Sequence, residues 1–296
     1  MGFFFLRKRG FVGIQMEKGL HFFVLSHRVE ARNPRGRGTA MLNDLHVHTA
    51  FSADSDTPLA AYCQRAVELG MGCVCFTDHL DCHPLDSGCG YYDPQAYFEA
   101  IETVREQYGG RIRILAGVEF AEPHLHPDLL REYQTYPYDF IIGSIHWVGD
   151  LFPSRMQREG IPSMAYTDGY FREVYCAVRH GGFQSLGHLD FPKRYFGKSP
   201  LDTGLMEDIF RLMAEREILL EINTSALRKG LREPMPSREL LRMYRDAGNR
   251  DVTIGSDAHF VEDLAADNQV AQALIQELGL REVVFLQKQR VPVQDL

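Results

Sequence analysis

The chain's 296 residues are 45% hydrophobic and 24% charged, the balance of a folded globular protein, which excludes a disordered or collagen-like polymer. A formal net charge of −8 argues against a broad nucleic-acid-binding face, and no run approaches the roughly 18 apolar residues of a membrane span. Twelve histidines against one tryptophan point toward metal or acid–base chemistry.

Residues 1–40 are set apart by charge. Eight basic residues and two acids give this segment +6, which leaves −14 for residues 41–296 out of the total of −8. Such a break marks a boundary. The apolar patch Phe3–Leu6 precedes the basic Arg7–Arg9, the wrong order for a signal peptide. The segment is expected to lie outside the fold, either as an overlong start of the reading frame or as a basic tail, joined through the flexible stretch Arg32–Gly38.

From Met41 onward short apolar runs alternate with amphipathic segments. The runs are Leu42–Val47, Cys73–Thr77, Ile112–Val118, Phe140–Ile145, Gln184–Gly187, Ile218–Asn223 and Val252–Ser256. Thr57–Pro58 is expected to open the first helix, with the threonine hydroxyl as its cap, and Gly70 to close it. Asp93–Pro94 opens a second, ending at Gly109–Gly110; others are expected near Pro127, Asp168, Asp202, Ser237 and Glu262. Alternating strands and helices imply a parallel sheet, and seven units in about 250 residues suit a closed barrel. No Gly-rich phosphate loop is present to favour an open nucleotide-binding sheet. The six cysteines fit a reducing, cytoplasmic setting better than a disulfide framework; Cys73 and Cys75 share a strand face and are expected to be buried.

The carboxyl ends of these runs carry the chemistry. The first ends in His46-Val47-His48, with Asp54 following, and the second in Asp78-His79. Glu119 ends the third, His146 the fourth and His188 the fifth; Asp257-Ala258-His259 ends the seventh. Barrel strand ends open on one face, so these nine groups converge there. Residues i and i+2 of a strand point the same way, so His46 and His48 can share an ion, and Asp257 and His259 have the same spacing. Converging carboxylates resist ionisation unless cations accompany them, and imidazole mixed with carboxylate suits Zn, Fe or Mn. Nine ligands exceed the needs of one ion, so two or three divalent metal ions are expected, with Glu119 as the bridge. Such ions activate water and stabilise charge on a phosphoryl group. Arg194 and Arg228, just beyond the fifth and sixth runs, are candidates to hold phosphate oxygens through their planar forks.

Taken together, DLHVHT (44–49), FTDHLD (76–81), ILAGVE (114–119), FIIGSIHWV (140–148), LGHLDFPKRYFG (186–197), LEINTSALRKG (220–230), PSRELL (236–241) and TIGSDAH (253–259) resemble the PHP family of metal-dependent phosphoesterases, and within it the histidinol-phosphate phosphatase branch. The similarity covers about Met41 to Leu280. It implies a distorted (β/α)7 TIM-like barrel, expected over residues 41–290, with a trinuclear site. Carried over by position, His46, His48, Glu119 and Asp257 hold the first ion, Glu119, His146 and His188 the second, and Asp54, His79 and His259 the third. Glu119, Asp257 and His259 are the implied catalytic residues, with Arg194 and Arg228 on the substrate phosphate. The implied reaction is hydrolysis of L-histidinol phosphate, a small-molecule phosphate monoester, in histidine biosynthesis. The loop His83–Tyr92 matches the pattern least, and His83 within it is a candidate leaving-group acid.

Three other readings compete. Another member of the same superfamily would act on a different small phosphate ester or a nucleotide; the −14 charge of residues 41–296 disfavours a nucleic-acid channel. An amidohydrolase-type barrel would need a bridging lysine at a strand end, and none is there. A degenerate binding module is disfavoured because every expected ligand type is present. Oligomeric state has no signature in the sequence.

Overall fold

The computed structural model describes residues 41–197 and 201–296, so the extension expected at 1–40 lies outside the described residues. Each of the seven apolar runs contains a strand. With an additional two-residue β3 (His79–Leu80) outside the runs, the strands in chain order are β1 (Asn43–Val47), β2 (Cys73–Phe76), β3, β4 (Arg113–Ala121), β5 (Phe140–Ser144), β6 (Ser185–Leu186), β7 (Leu219–Asn223) and β8 (Asp251–Gly255). Neighbours run β1-β2-β4-β5-β6-β7-β8, every pair parallel, and β3 lies beside β4. The carboxyl ends of β1 and β8 close the ring: the His48 N–H donates to the Ala258 carbonyl and the Asp257 N–H to the His46 carbonyl, both at 2.8 Å. The architecture is the expected distorted (β/α)7 barrel.

Among the described residues, ten helices occupy the connections: α1 (Leu59–Leu69), α2 (Pro94–Tyr108), α3 (Pro127–Tyr133), α4 (Pro153–Glu159), α5 (Met164–His180), α6 (Lys193–Phe196), α7 (Thr203–Glu215), α8 (Ser225–Arg228), α9 (Arg238–Asp246) and α10 (Asn268–Leu278). Asp93 caps α2 by accepting from the N–H groups of Gln95 and Ala96, and Asp202 and Ser237 cap α7 and α9. Three starts differ from expectation. Pro58, not Thr57, is the cap position of α1, and the Thr57 hydroxyl donates instead to the His259 carbonyl at 3.1 Å. Helix α5 begins at Met164, ahead of Asp168. The segment at Glu262 is one 3₁₀ turn (Val261–Asp263); Ala265 and Asp267, at φ 55° and 59°, interrupt the chain before α10.

The barrel's inner layer below the site is apolar. Leu45, Cys73, Cys75, Leu115, Phe140, Ile142 and Leu219 form one buried cluster with Val283, Val284 and Phe285. The last three belong to a strand that sequence reading did not identify, β9 (Arg281–Leu286), which pairs with β8 and turns into β10 (Gln289–Pro292). The hairpin runs past the expected domain end at residue 290, and its Phe285 ring stacks on Phe140 at 5.1 Å. Phe285→Ala is therefore expected to lower unfolding free energy by about 3–5 kcal/mol, through lost burial plus a cavity. A denaturant melt showing a loss under about 1 kcal/mol would remove the hairpin from the core.

The first strand solves a parity problem. Leu45 faces the inner cluster, whereas Val47 faces the outer one, although strict alternation would keep them together. The β1–β2 register shifts between Asp44 and Val47. That irregularity turns His46 and His48 inward above Leu45.

Candidate metal centre

Glu119 sits at the middle of the barrel mouth because β4 places it opposite His79 on one side and Ile142 on the other. Its two oxygens face different imidazoles. Oε1 lies 2.9 Å from His188 Nε2 and 3.5 Å from His146 Nε2; Oε2 lies 3.2 Å from His46 Nε2, 3.5 Å from His48 Nε2 and 2.9 Å from His79 Nδ1. Asp257 Oδ1 completes a group with His46 and His48 at 4.0 and 3.4 Å. Asp54 Oδ2 lies 3.1 Å from His259 Nε2 and 3.7 Å from His79 Nε2. All nine sequence-derived candidates are thus brought together. Asp257 and His259, the second pair of that spacing, also approach one another, His259 Nδ1 lying 3.6 Å from Asp257 Oδ1. Asp257 takes a left-handed backbone (φ 56°), turning toward His46 and His48 while His259 turns toward Asp54. Such a φ is tolerated by Asp more readily than by most residues.

Burial is the largest influence on Glu119 and opposes its charge. His46 and His79, with hydrogen bonds from His146 and His188, outweigh burial and hold the carboxyl well below the usual range. Asp257 is likewise held low against burial by His48, His46 and Arg194. Burial, with His79 and His259 nearby, pushes His48 down to about 3. His79, whose ring centroid is only 4.1 Å away, is raised against burial to about 10 by Asp81 and Glu119. Adjacent imidazoles forced apart in this way mark a cluster whose carboxylates need more positive charge than its rings can share.

The unpaired atoms point to what supplies that charge. His46 Nε2, His48 Nε2, His79 Nδ1 and Glu119 Oε2 are buried without a hydrogen-bond partner. Buried polar groups left this way are costly, and four converging donor atoms of metal-ligand type fit divalent cations. Among the described residues, four sets lie close enough to hold an ion: His46, His48 and Asp257; Glu119, His146 and His188; His48, His79 and His259; and His79, Asp81 and His146.

Several partners of these groups were not read from the sequence. Glu221, at the end of β7, lies 2.6 Å from His46 Nδ1 through Oε1 and accepts the His188 N–H through Oε2 at 2.8 Å. It orients one ring and one backbone segment at once. Gly255 makes room for this contact: a Cβ there would collide with Glu221 Oε1 and His46 Cβ. Ser52 Oγ lies 3.1 Å from His48 Nδ1 and donates to Asp78, while Ser144 Oγ donates to Glu119 Oε1 at 2.5 Å. The signal for Glu221 was present, since it ends a strand like the other candidates.

Arg194, on α6, enters the same cavity. Its Nη1 is 3.4 Å from Asp257 Oδ2, and its Nε is buried and unpartnered. The cavity is about 450 Å³ and also admits Trp147, Phe152, Phe191 and Tyr195. Arg228 lines an adjoining hollow with Asp54, Arg194 and Asp257. Its guanidinium donates to the Ser256 carbonyl at 2.5 Å and pairs with Asp263 at 3.3 Å, which leaves Nη1 buried and unpartnered. His83 is not among the cavity-lining residues. Its ring stacks on Trp147 at 3.9 Å, so geometry does not support it as a leaving-group acid.

Residues 44–225 match the family model described as the PHP domain. The protein named "Probable histidinol-phosphatase" of Thermotoga maritima is 30% identical across 73% of this chain and 83% of its own length. Its namesake in Deinococcus radiodurans is 27% identical across 85% and 99%. The fold is similar to that of a histidinol phosphate phosphatase from Lactococcus lactis, solved with zinc, L-histidinol and phosphate; the TM-score is 0.68 at 24% identity, covering 84% of this chain and 98% of that one.

Proposed function

Since the chain belongs to the PHP domain family, we propose that it is a metal-dependent phosphomonoesterase that hydrolyses L-histidinol phosphate to L-histidinol and phosphate. The observation that carries this reading is Glu119, whose two oxygens face separate imidazole groups at the mouth of the barrel. Two relatives named for histidinol-phosphatase activity, aligned over most of this chain, support the substrate.

In this reading His46, His48, Glu119 and Asp257 hold one ion, Glu119, His146 and His188 a second, and Asp54, His79 and His259 a third. Two or three divalent ions, Zn, Fe or Mn, supply when bound the charge that activates water and stabilises phosphoryl transfer. The chain's own residues position the ester. Arg194 presents a planar fork to phosphate oxygens, and its unpartnered Nε supports that role. Arg228 adds a second cation and holds the Ser256 backbone in place. Asp257 Oδ2, fixed by Ser225 Oγ at 3.0 Å, stays ionised and orients what binds beside it. Aromatic side chains, among them Phe191 and Tyr195 beside Arg194, line the cavity. The concave cavity favours a small monoester over a nucleic acid, and no described helix is long and apolar enough to cross a membrane. The catalytic domain, expected over residues 41–290, continues through β10 to Pro292. A cytoplasmic setting accords with six free cysteines.

Phosphate release from a panel of monoesters by metal-loaded protein tests the substrate; L-histidinol phosphate is expected to be preferred, and indifference among monoesters would refute that choice. Arg194→Ala is expected to raise KM about ten- to a hundred-fold, since a charge-assisted contact contributes about 1.5–3 kcal/mol. Unchanged steady-state kinetics would remove Arg194 from the phosphate site.

A further inference from the structure

Ser52 stands between two of the candidate metal ligands. The loop after β1 turns back on itself, with the Ser52 N–H donating to the Thr49 carbonyl at 2.9 Å, and this brings the Ser52 hydroxyl to the His48 ring. Three groups meet that fully buried oxygen: Asp78 Oδ1 at 2.8 Å, the His79 backbone N–H at 3.0 Å and His48 Nδ1 at 3.1 Å.

A serine hydroxyl has one proton and two lone pairs, so each contact can be assigned. Asp78 is buried and also takes the Thr49 N–H at 2.5 Å and the Thr49 hydroxyl at 2.9 Å. Donors on a carboxylate favour its ionised form, which can only accept. The Ser52 proton therefore points to Asp78. The His79 N–H can only donate, and it fills one lone pair of the serine. The other lone pair faces His48 Nδ1, which must carry the ring proton to complete the contact. Nε2 is then the bare nitrogen, and it is the atom buried without a hydrogen-bond partner. The carboxylate oxygens beside it, Asp257 Oδ1 at 3.4 Å and Glu119 Oε2 at 3.5 Å, would by themselves draw the proton to Nε2, the wrong place for binding a cation there. At His46 a carboxylate acts on the far nitrogen directly, Glu221 Oε1 lying 2.6 Å from Nδ1.

We propose that Ser52, oriented by Asp78, is a positioning residue that holds the His48 proton on Nδ1 and so keeps Nε2 free to bind a divalent cation. The same hydroxyl fixes the His79 backbone, so one side chain serves two candidate ligands. The inference rests on the metal-centre reading of the barrel mouth and is independent of which ester is hydrolysed.

The test is nitrogen NMR of isotope-labelled histidines in the metal-free protein at about pH 8, where an ordinary imidazole is neutral, together with zinc affinity measured by competition with a chelator. In the parent protein His48 is expected to show a protonated Nδ1 and a bare Nε2. Ser52→Ala is expected to move the proton to Nε2 and to weaken zinc binding about ten- to a hundred-fold. Ser52→Thr, which keeps a hydroxyl, is expected to recover much of both. A merely structural role would lower the melting temperature without moving the proton. A protonated Nε2 in the parent protein overturns the proposal whether or not any variant folds, and so does a Ser52→Ala protein with the parent's proton placement and zinc affinity. Neither result involves phosphate release, so the phosphomonoesterase reading stands or falls separately on the monoester panel.

Discussion

Replacing Glu119 by Gln is expected to lower kcat for phosphate release by more than about a hundred-fold and to deplete bound metal. Outer partners of metal ligands typically matter about ten- to a hundred-fold, and Glu119 faces the candidate cation positions directly. The substitution preserves volume, and Ser144 keeps its acceptor when the amide oxygen takes the Oε1 place. What changes is that one oxygen becomes an NH2 donor, aimed either at His146 and His188 or at His46, His48 and His79. Either orientation sets a donor against a group that now sees a carboxylate. Elemental analysis and steady-state kinetics on the same preparation check this. A Glu119→Gln enzyme with full metal content and full turnover would defeat the bridging role.

Stripping divalent ions with a chelator is expected to abolish phosphate release, and adding back Zn, Mn or Fe to restore it. The site then holds buried carboxylates against imidazoles that titrate apart, with four donor atoms unpaired. Stability should fall with activity. A ligand present at about a thousand times its Kd contributes about 4 kcal/mol to the folded state, so the metal-free protein should melt several degrees lower. Full activity at a metal content below about one-tenth of an ion per chain would exclude metal-dependent catalysis.

The strand ends were legible because barrel geometry brings nine groups at six separate strand ends onto one face. Imidazole and carboxylate at those positions needed no knowledge of the loops. The inward turn of His46 and His48 was not legible in detail, since it depends on the register shift in β1 that places Leu45 and Val47 on different faces. Glu221 went unread for a related reason. Its partner His46 is 175 residues away, and only the closed barrel puts them 2.6 Å apart. Thr57 misled as a helix cap because the same hydroxyl has a tertiary acceptor, the His259 carbonyl. The β9–β10 hairpin was missed because its turn, Gln287-Lys288, takes positive φ without glycine or asparagine. Lys288 Nζ reaches the Gln134 carbonyl at 2.6 Å, a contact that helps hold the turn and is invisible in local sequence.

The most direct measurement is the number of metal ions per chain after loading with Zn, Fe or Mn and removing the excess. We expect two to three ions per chain, lost in parallel with phosphate release on chelation. A loaded, folded enzyme that hydrolyses phosphate monoesters with fewer than about one ion per chain would contradict a shared-cation site at the barrel mouth.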